Sequence, residues 1–260
     1  MSSTSKHARR SPGKTRPKPA ARGKAPAHAK GRAAPKGAHP NKGTPRQRLE
    51  RAMERLDKAF GEILPPAEPG SVLERAVYLV VREHGGEAYS ERAMAALKEH
   101  FIDWNEVRAS RPSELARLMA GGGHLSSAMQ RRAVECARRV RDLIDQVYGD
   151  RNSTSMEFLL EQKQSEQLEY LQDIDDLGVH NAYALVQWLS GDDKLVAVAP
   201  SLARAAHRLG CLESPAVTRA RKELSALVEG PSLVAVQAHF TQLGELDDEQ
   251  WPPALKELAG

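Results

Sequence analysis

Apolar side chains recur at every third or fourth position through most of this 260-residue chain, and they seldom alternate with polar ones. This spacing places side chains on one face of an α-helix, whereas strict alternation would indicate a β-strand. The sequence therefore predicts an all-α body. Clear examples are Leu73, Val77, Val80 and Val81; Leu115, Leu118 and Met119; and Met129, Ala133, Cys136, Ala137, Val140 and Ile144.

Further helices are predicted at both ends of this body. One covers about residues 45–63, where Leu49, Met53, Leu56 and Phe60 have helical spacing, and two closing helices cover about 217–228 and 233–243. Pro252 and Pro253 interrupt the pattern, because proline cannot continue a helix from within. Residues 246–260 are therefore expected to form a ragged C-terminal extension.

Residues 1–48 differ in composition from the rest of the chain. They contain fourteen Lys and Arg residues, no acid, and no Trp, Tyr, Phe, Leu, Ile or Val. Leu49 is the first of these apolar residues in the chain. The remainder carries all 34 acids, so the net charge of +4 combines a basic tail with an acidic body. Such a tail buries too little apolar surface to offset its ordering entropy, and residues 1–46 are expected to be disordered.

A long cationic segment is a partner for phosphate backbones, with sequence-independent and salt-sensitive affinity. Representative contacts would be Lys14, Arg16, Lys18, Arg22 and Lys24. Two other interpretations remain open: a solubilising extension without a dedicated partner, and an organelle-targeting segment, although the latter would need apolar residues that are missing here.

A hairpin-like segment reads IDDLGVHNA over Ile174–Ala182 and is followed by an apolar helix. An apolar run, Val196–Ala199, then leads through Pro200 to a helix ending in Arg208-Leu209-Gly210. These features resemble the endonuclease III-like members of the helix-hairpin-helix (HhH-GPD) DNA glycosylase superfamily, whose hairpin reads L-P-G-V-G-x-K-T-A and whose later helix ends R-L-G. The resemblance covers about residues 71–243.

The resemblance implies a two-lobed helical HhH-GPD glycosylase-like fold over about residues 47–245, preceded by the basic tail. It places a central bundle at about 88–200 and a second lobe at about 71–87 plus 201–245. In relatives the substrate cleft lies between the lobes and receives a flipped base.

The catalytic positions of the family are replaced in this chain. The lysine that attacks the sugar aligns with His180, and the aspartate aligns with Ala199. An imine-forming nucleophile must be a primary amine, and the aspartate must supply negative charge, so neither replacement can do the original task. Asp192 and Asp193 are candidates for a displaced carboxylate. The other interpretation of His180 is a surface histidine of the hairpin.

The hairpin retains part of a DNA-binding motif. Gly178 keeps the position where backbone approaches DNA, and the amides of the next helix point at a phosphate. The neighbouring Asp175 and Asp176 would repel a phosphate unless they turn away, or they would cap the following helix. His84 aligns loosely with the damage-pocket glutamine of the family. The predicted hairpin contacts are Leu177, Gly178, Val179, His180 and Asn181.

No cofactor or metal is predicted. Cys136 and Cys211 are expected to be buried reduced thiols, and no cysteine follows Cys211 to form the iron-sulfur loop of many relatives. No run of about eighteen apolar residues predicts a membrane span. The expected location is cytoplasmic and nucleoid-associated, or nuclear if the source is eukaryotic.

The leading functional prediction is a DNA-binding, endonuclease III-like protein related to base-excision repair, with impaired catalysis and double-stranded DNA, damaged or abasic, as partner. Two alternatives stay open. One is an active glycosylase or abasic-site lyase with a different residue set, and the other is a nucleoid or RNA-associated adaptor that binds through its tail.

Overall fold

The computed structural model describes residues 42–61, 70–123, 126–191, 195–228 and 232–259. Within these ranges the chain forms twelve α-helices, two short 3-10 helices at Glu157–Glu161 and Asp248–Gln250, and no β-strand, which confirms the all-α prediction. The predicted disorder of the tail falls almost entirely on residues outside these ranges. The α-helices are α1 (Pro45–Phe60), α2 (Val72–Gly85), α3 (Glu87–His100), α4 (Trp104–Ala109), α5 (Pro112–Met119), α6 (Ser127–Arg151), α7 (Gln164–Gln172), α8 (Val179–Ser190), α9 (Pro200–Arg208), α10 (Val217–Leu227), α11 (Ser232–Glu245) and α12 (Pro253–Ala259).

The first hydrophobic core is built around α6, the longest helix. Its N-cap is Ser126, whose hydroxyl accepts a hydrogen bond from the Met129 amide at 3.3 Å. It ends at Asn152, which adopts a left-handed conformation with φ of 51°. Its apolar face packs against α2, α4 and α5, and residues from α2 through α8 complete this core.

A second core joins the beginning and the end of the described chain. It contains Leu49 and Leu56 of α1, Val196 and Val198 before α9, and the buried faces of α9 to α12. The expected grouping of residues 71–87 with the second lobe is wrong, because α2 contacts α3, α6 and α8 and belongs to the first core. The physical reason is that α2 is apolar around most of its surface and requires a partner on several sides, whereas the amphipathic α1 covers one face of the second core.

The expected ragged C-terminus is also corrected by the structure. Pro253 is the first residue of α12, a position where the missing N–H of proline has no helical partner to lose. Leu255 and Leu258 are buried, Trp251 is only 4% exposed, and α12 packs against α1. Residues 251–258 thus contribute to the second core.

Both cysteines are buried free thiols, as predicted. Burial raises the pKa of Cys136 and that of Cys211 to about 12, so both are uncharged at neutral pH. Trp104 and Trp188 are partly buried and pack against the first core. None of the helices in the described ranges is long and apolar enough to cross a membrane.

Candidate nucleic-acid interface

Helices α7 and α8 are joined by a tight hairpin, residues 173–178. Ile174 and Leu177 are buried, so the hairpin is anchored to the first core from its inner side. Gly178 is the N-cap of α8 with φ of 80° and ψ of 148°, a conformation that residues with a Cβ rarely adopt. Val179, the first residue of α8, is 53% exposed. The backbone conformation at position 178 therefore favours glycine, and the outer face of the hairpin is accessible.

Asp175 and Asp176 of the hairpin do not cap α8. In the described structure neither carboxylate accepts a hydrogen bond from a backbone amide at the start of α8, contrary to the predicted capping role. Instead, the Asp176 carboxylate accepts a hydrogen bond from Arg138 Nη2 at 3.4 Å, and the Asp176 carbonyl accepts two from Arg139, from Nε at 3.2 Å and from Nη2 at 2.8 Å. Burial raises the pKa of Asp176, while Arg138 opposes this shift. Two arginines of α6 thus compensate one acid of the hairpin, whereas Asp175 remains exposed.

Glu83, at the end of α2, connects the hairpin with α6. Its Oε2 accepts hydrogen bonds from Arg139 Nη2 at 3.1 Å and from Asn181 Nδ2 at 3.3 Å, and it lies 4.0 Å from His180 Nε2. Asn181 is 3% exposed and also donates to the Leu177 carbonyl at 2.9 Å. Sequence reasoning missed Glu83, because its partners are 56 and 98 residues away and no local pattern marks it.

His180 is not a surface histidine, contrary to that interpretation of the sequence. Its side chain is only 17% exposed. Burial is the largest cause that lowers the pKa of His180; Glu83 opposes the shift, and the positive charges of Arg139 and Arg221 add to it. The imidazole is consequently neutral at neutral pH.

The buried neutral state of His180 predicts a pH dependence of stability. The free energy of unfolding should fall more steeply from about pH 7 to about pH 5 in the natural protein than in a His180→Gln variant. The unfolded chain takes up a proton near the ordinary histidine pKa, but the folded chain does so only at lower pH, so protonation favours unfolding in this window. Urea unfolding at several pH values measures the difference. Parallel curves for the two proteins would contradict the prediction.

Arg221 of α10 also lies close enough to His180 to influence its pKa. Its guanidinium carbon is 3.7 Å from the ring centroid of Tyr183 on α8, and its Nε donates to the Val196 carbonyl at 3.1 Å. A second link runs from Gln187 Nε2 to Gln237 Oε1 at 3.2 Å, and from Gln237 Nε2 to the Ala197 carbonyl at 3.0 Å. The helix that follows the hairpin is therefore held against α10, α11 and the segment before α9.

The predicted catalytic positions have different fates. Ala199 is the N-cap of α9, and its methyl side chain makes no capping hydrogen bond. Asp192 and Asp193 lie outside the described residues, as do Lys14, Arg16, Lys18, Arg22 and Lys24. The structure brings together Gly178, His180 and Asn181, and it adds Glu83, Arg139 and Arg221 to them.

Three arginines of α6, Arg138, Arg139 and Arg141, form ion pairs with acids. Arg138 binds Glu135 at 2.9 Å and Asp142 at 2.6 Å, and Arg141 binds Asp142 at 2.7 Å. Arg131 and Arg132, nearer the start of the helix, are exposed. His84 is partly buried, with Nδ1 3.2 Å from the Val80 carbonyl oxygen of its own helix. Among the described residues, no three His, Cys, Asp or Glu side chains are grouped as a metal site.

Comparison with known proteins shows which fold this chain has. No family model matches the sequence, and no curated protein is significantly similar to it. Among solved structures, that of a trapped endonuclease III–DNA covalent intermediate, an estranged-adenine complex, matches with a TM-score of 0.54 and 15% identity. The match covers 75% of this chain and 84% of the other. The chain has the endonuclease III fold. The likeness inferred from the hairpin and the later helix is thus confirmed for the helix-hairpin-helix architecture, and at this identity it concerns the fold alone.

Proposed function

We propose that this endonuclease III-like protein binds duplex DNA through its hairpin region and basic tail, and that it has lost the glycosylase and lyase chemistry of base-excision repair. The proposal rests on His180 and Ala199, which stand at the positions that the resemblance aligns with the catalytic lysine and aspartate of the family. The fold match to an endonuclease III–DNA complex supports duplex DNA as the partner. Chromosomal DNA would then be the place of action, in a nucleoid or, in a eukaryote, a nucleus.

The chemistry explains why these replacements remove the reaction. A Schiff base requires a primary amine, and an imidazole cannot form one with the sugar aldehyde. An oxocarbenium-like sugar requires a nearby negative charge, which the methyl group of Ala199 cannot supply. The buried environment of His180, with Arg139 and Arg221 lowering its pKa, further disfavours a cationic role.

The hairpin supports binding without catalysis. Gly178 permits the backbone turn, and the exposed Val179 leaves the start of α8 accessible to a phosphate. Compensation of Asp176 by Arg138 and Arg139 reduces the repulsion that this carboxylate would otherwise exert. The grip of the hairpin itself is weak in this proposal, and the tail supplies most of the affinity.

The alternative of an active enzyme has one observation in its favour. His180 Nε2 lies 4.0 Å from Glu83 Oε2, which brings a neutral imidazole and a carboxylate together. Such a pair is suited to general acid-base catalysis. However, Glu83 Oε2 already accepts hydrogen bonds from Arg139 and Asn181, so its charge is committed to the structure of the hairpin.

Single-turnover cleavage tests the proposal. Duplexes carrying an abasic site, uracil, an oxidised pyrimidine or an alkylated base are incubated with the natural protein, with borohydride present to trap an imine. We expect binding without product. Product formation by the natural protein would contradict impaired catalysis, and loss of that product in a Glu83→Gln variant that still binds duplex would support the acid-base pair.

A matched pair of double variants sharpens the test. The variant with His180→Lys and Ala199→Asp restores an amine and a carboxylate, whereas the variant with His180→Gln and Ala199→Asn adds side chains of similar size without either group. We expect a borohydride-trapped adduct from the first and none from the second, because only the amine forms an imine. Equal behaviour of the two variants would show that these positions do not face the sugar.

A further inference from the structure

A cavity of about 450 Å³ lies between the start of α1 and the end of α9. It belongs to the second core and uses no residue of the hairpin. Its volume is that of a small-ligand pocket. The lining residues are Pro45, Arg48, His207, Arg208 and the segment Gly210–Glu213.

Arg48 gives this cavity its charge. Within the described part of the chain, no acid lies within ion-pair distance of Arg48, and its Nε is buried without a hydrogen-bond partner. Arg48 lines the cavity, and among the described residues its guanidinium has no carboxylate to offset its charge. His207 adds a ring N–H, which can donate in either charge state.

The other ionisable groups of the lining are already neutralised. Arg208 pairs with Asp248 and lies over the Trp251 ring at 4.8 Å. The Glu213 carboxylate binds Arg219 at 2.9 Å. Cys211 is uncharged because burial raises its pKa to about 12. The cavity therefore has an excess positive charge from Arg48, and it fits an anion.

We propose that this cavity binds a phosphate group of the nucleic-acid backbone, with Arg48 as the charged ligand and His207 as a second donor. The inference rests on the proposed function. The basic tail joins the fold at Lys42–Pro45, and Pro45 itself lines the cavity. A duplex held by the tail would thus present its phosphates beside Arg48, at a second contact separate from the hairpin.

Duplex affinity of an Arg48→Met variant tests the site. The matched control is Arg46→Met on the same helix, since Arg46 is exposed and pairs with Glu50 at 3.3 Å. Both variants lose one charge next to the tail, but only one loses the cavity ligand. By fluorescence anisotropy, we expect Arg48→Met to weaken binding about eightfold at 0.1 M salt and to reduce the salt slope by about 0.9, because one phosphate contact contributes that slope.

Arg46→Met should change affinity less than about twofold, because the Arg46 charge is already paired with Glu50 and does not line the cavity. Equal effects of the two variants would overturn the site while leaving the proposed function in place. Thermal unfolding checks that Arg48→Met is folded, and Arg48→Lys, which keeps the charge, should recover most of the affinity. If Arg48→Lys is as stable as the natural protein but does not recover the duplex affinity, a purely charge-based phosphate contact is contradicted.

Pyrophosphate binding distinguishes a site for the nucleic-acid backbone from a site for a free phosphate ligand. Equilibrium dialysis measures saturable binding to the natural protein and to Arg48→Met. If the natural protein binds no duplex, the proposed function fails; pyrophosphate binding that is lost in Arg48→Met would then support the same site for a free phosphate ligand, and its absence would overturn the site.

Discussion

Removal of residues 1–41 is expected to weaken duplex binding by about 10²- to 10⁴-fold at 0.1 M salt and to remove most of its salt dependence. The deletion takes away eleven of the 38 basic residues and none of the 34 acids, which leaves 27 basic residues against 34 acids. The remaining chain is net negative and repels a polyanion. Counterion release upon phosphate contact by the tail is the main favourable contribution that disappears.

Anisotropy titrations at several salt concentrations measure this change. The matched control is the full-length chain with the eleven Lys and Arg of residues 1–41 replaced by Gln, which keeps the length and removes the charge. Equal loss in the deletion and in the control would assign the effect to charge. A flat salt dependence of the natural protein would contradict the role of the tail.

The residual binding of the deletion variant also distinguishes two functions. Weak but measurable duplex binding is expected if the hairpin region contributes a contact of its own. Complete loss of duplex binding in the deletion variant, together with unchanged binding when Gly178 is replaced in the full-length protein, would favour the adaptor alternative. In that alternative the helical body binds another protein and only the tail binds nucleic acid.

Replacement of Gly244 by alanine is expected to reduce the free energy of unfolding by about 2 kcal/mol. Gly244 lies in α11 where that helix crosses α9. A Cβ at this position would lie 2.5 Å from the carbonyl carbon of Ser201 and still nearer to its oxygen. The obstacle is backbone, so the two helices must separate, and contacts in the core that contains Phe240 and Leu202 are lost.

Gly149→Ala is the matched control for this prediction. Gly149 lies in α6, and a Cβ there would meet no atom within 4 Å. Alanine should therefore stabilise the protein by up to about 1 kcal/mol through helix propensity. Urea unfolding of both variants measures the difference, which is expected to have opposite signs. Stabilisation by Gly244→Ala would show that α9 and α11 tolerate a wider separation.

Much of the fold follows from local patterns. The spacing of Val77, Val80 and Val81 predicts a helix, and so does the apolar face of α6, because helical periodicity depends only on neighbouring residues. Gly178 was identifiable as a hairpin position from the resemblance to the family motif, and its φ of 80° is a value that glycine adopts readily. The identities of His180 and Ala199 are also properties of the sequence alone.

Local sequence patterns thus predict the helical class, the hairpin and the charge of the tail. The packing of distant helices places α2 in the first core and α12 in the second, and it brings Glu83 and Arg139 close to His180. The physical reason is that helix formation is governed by contacts three and four residues apart, whereas burial, ion pairing and the pKa of His180 depend on side chains brought together from distant helices.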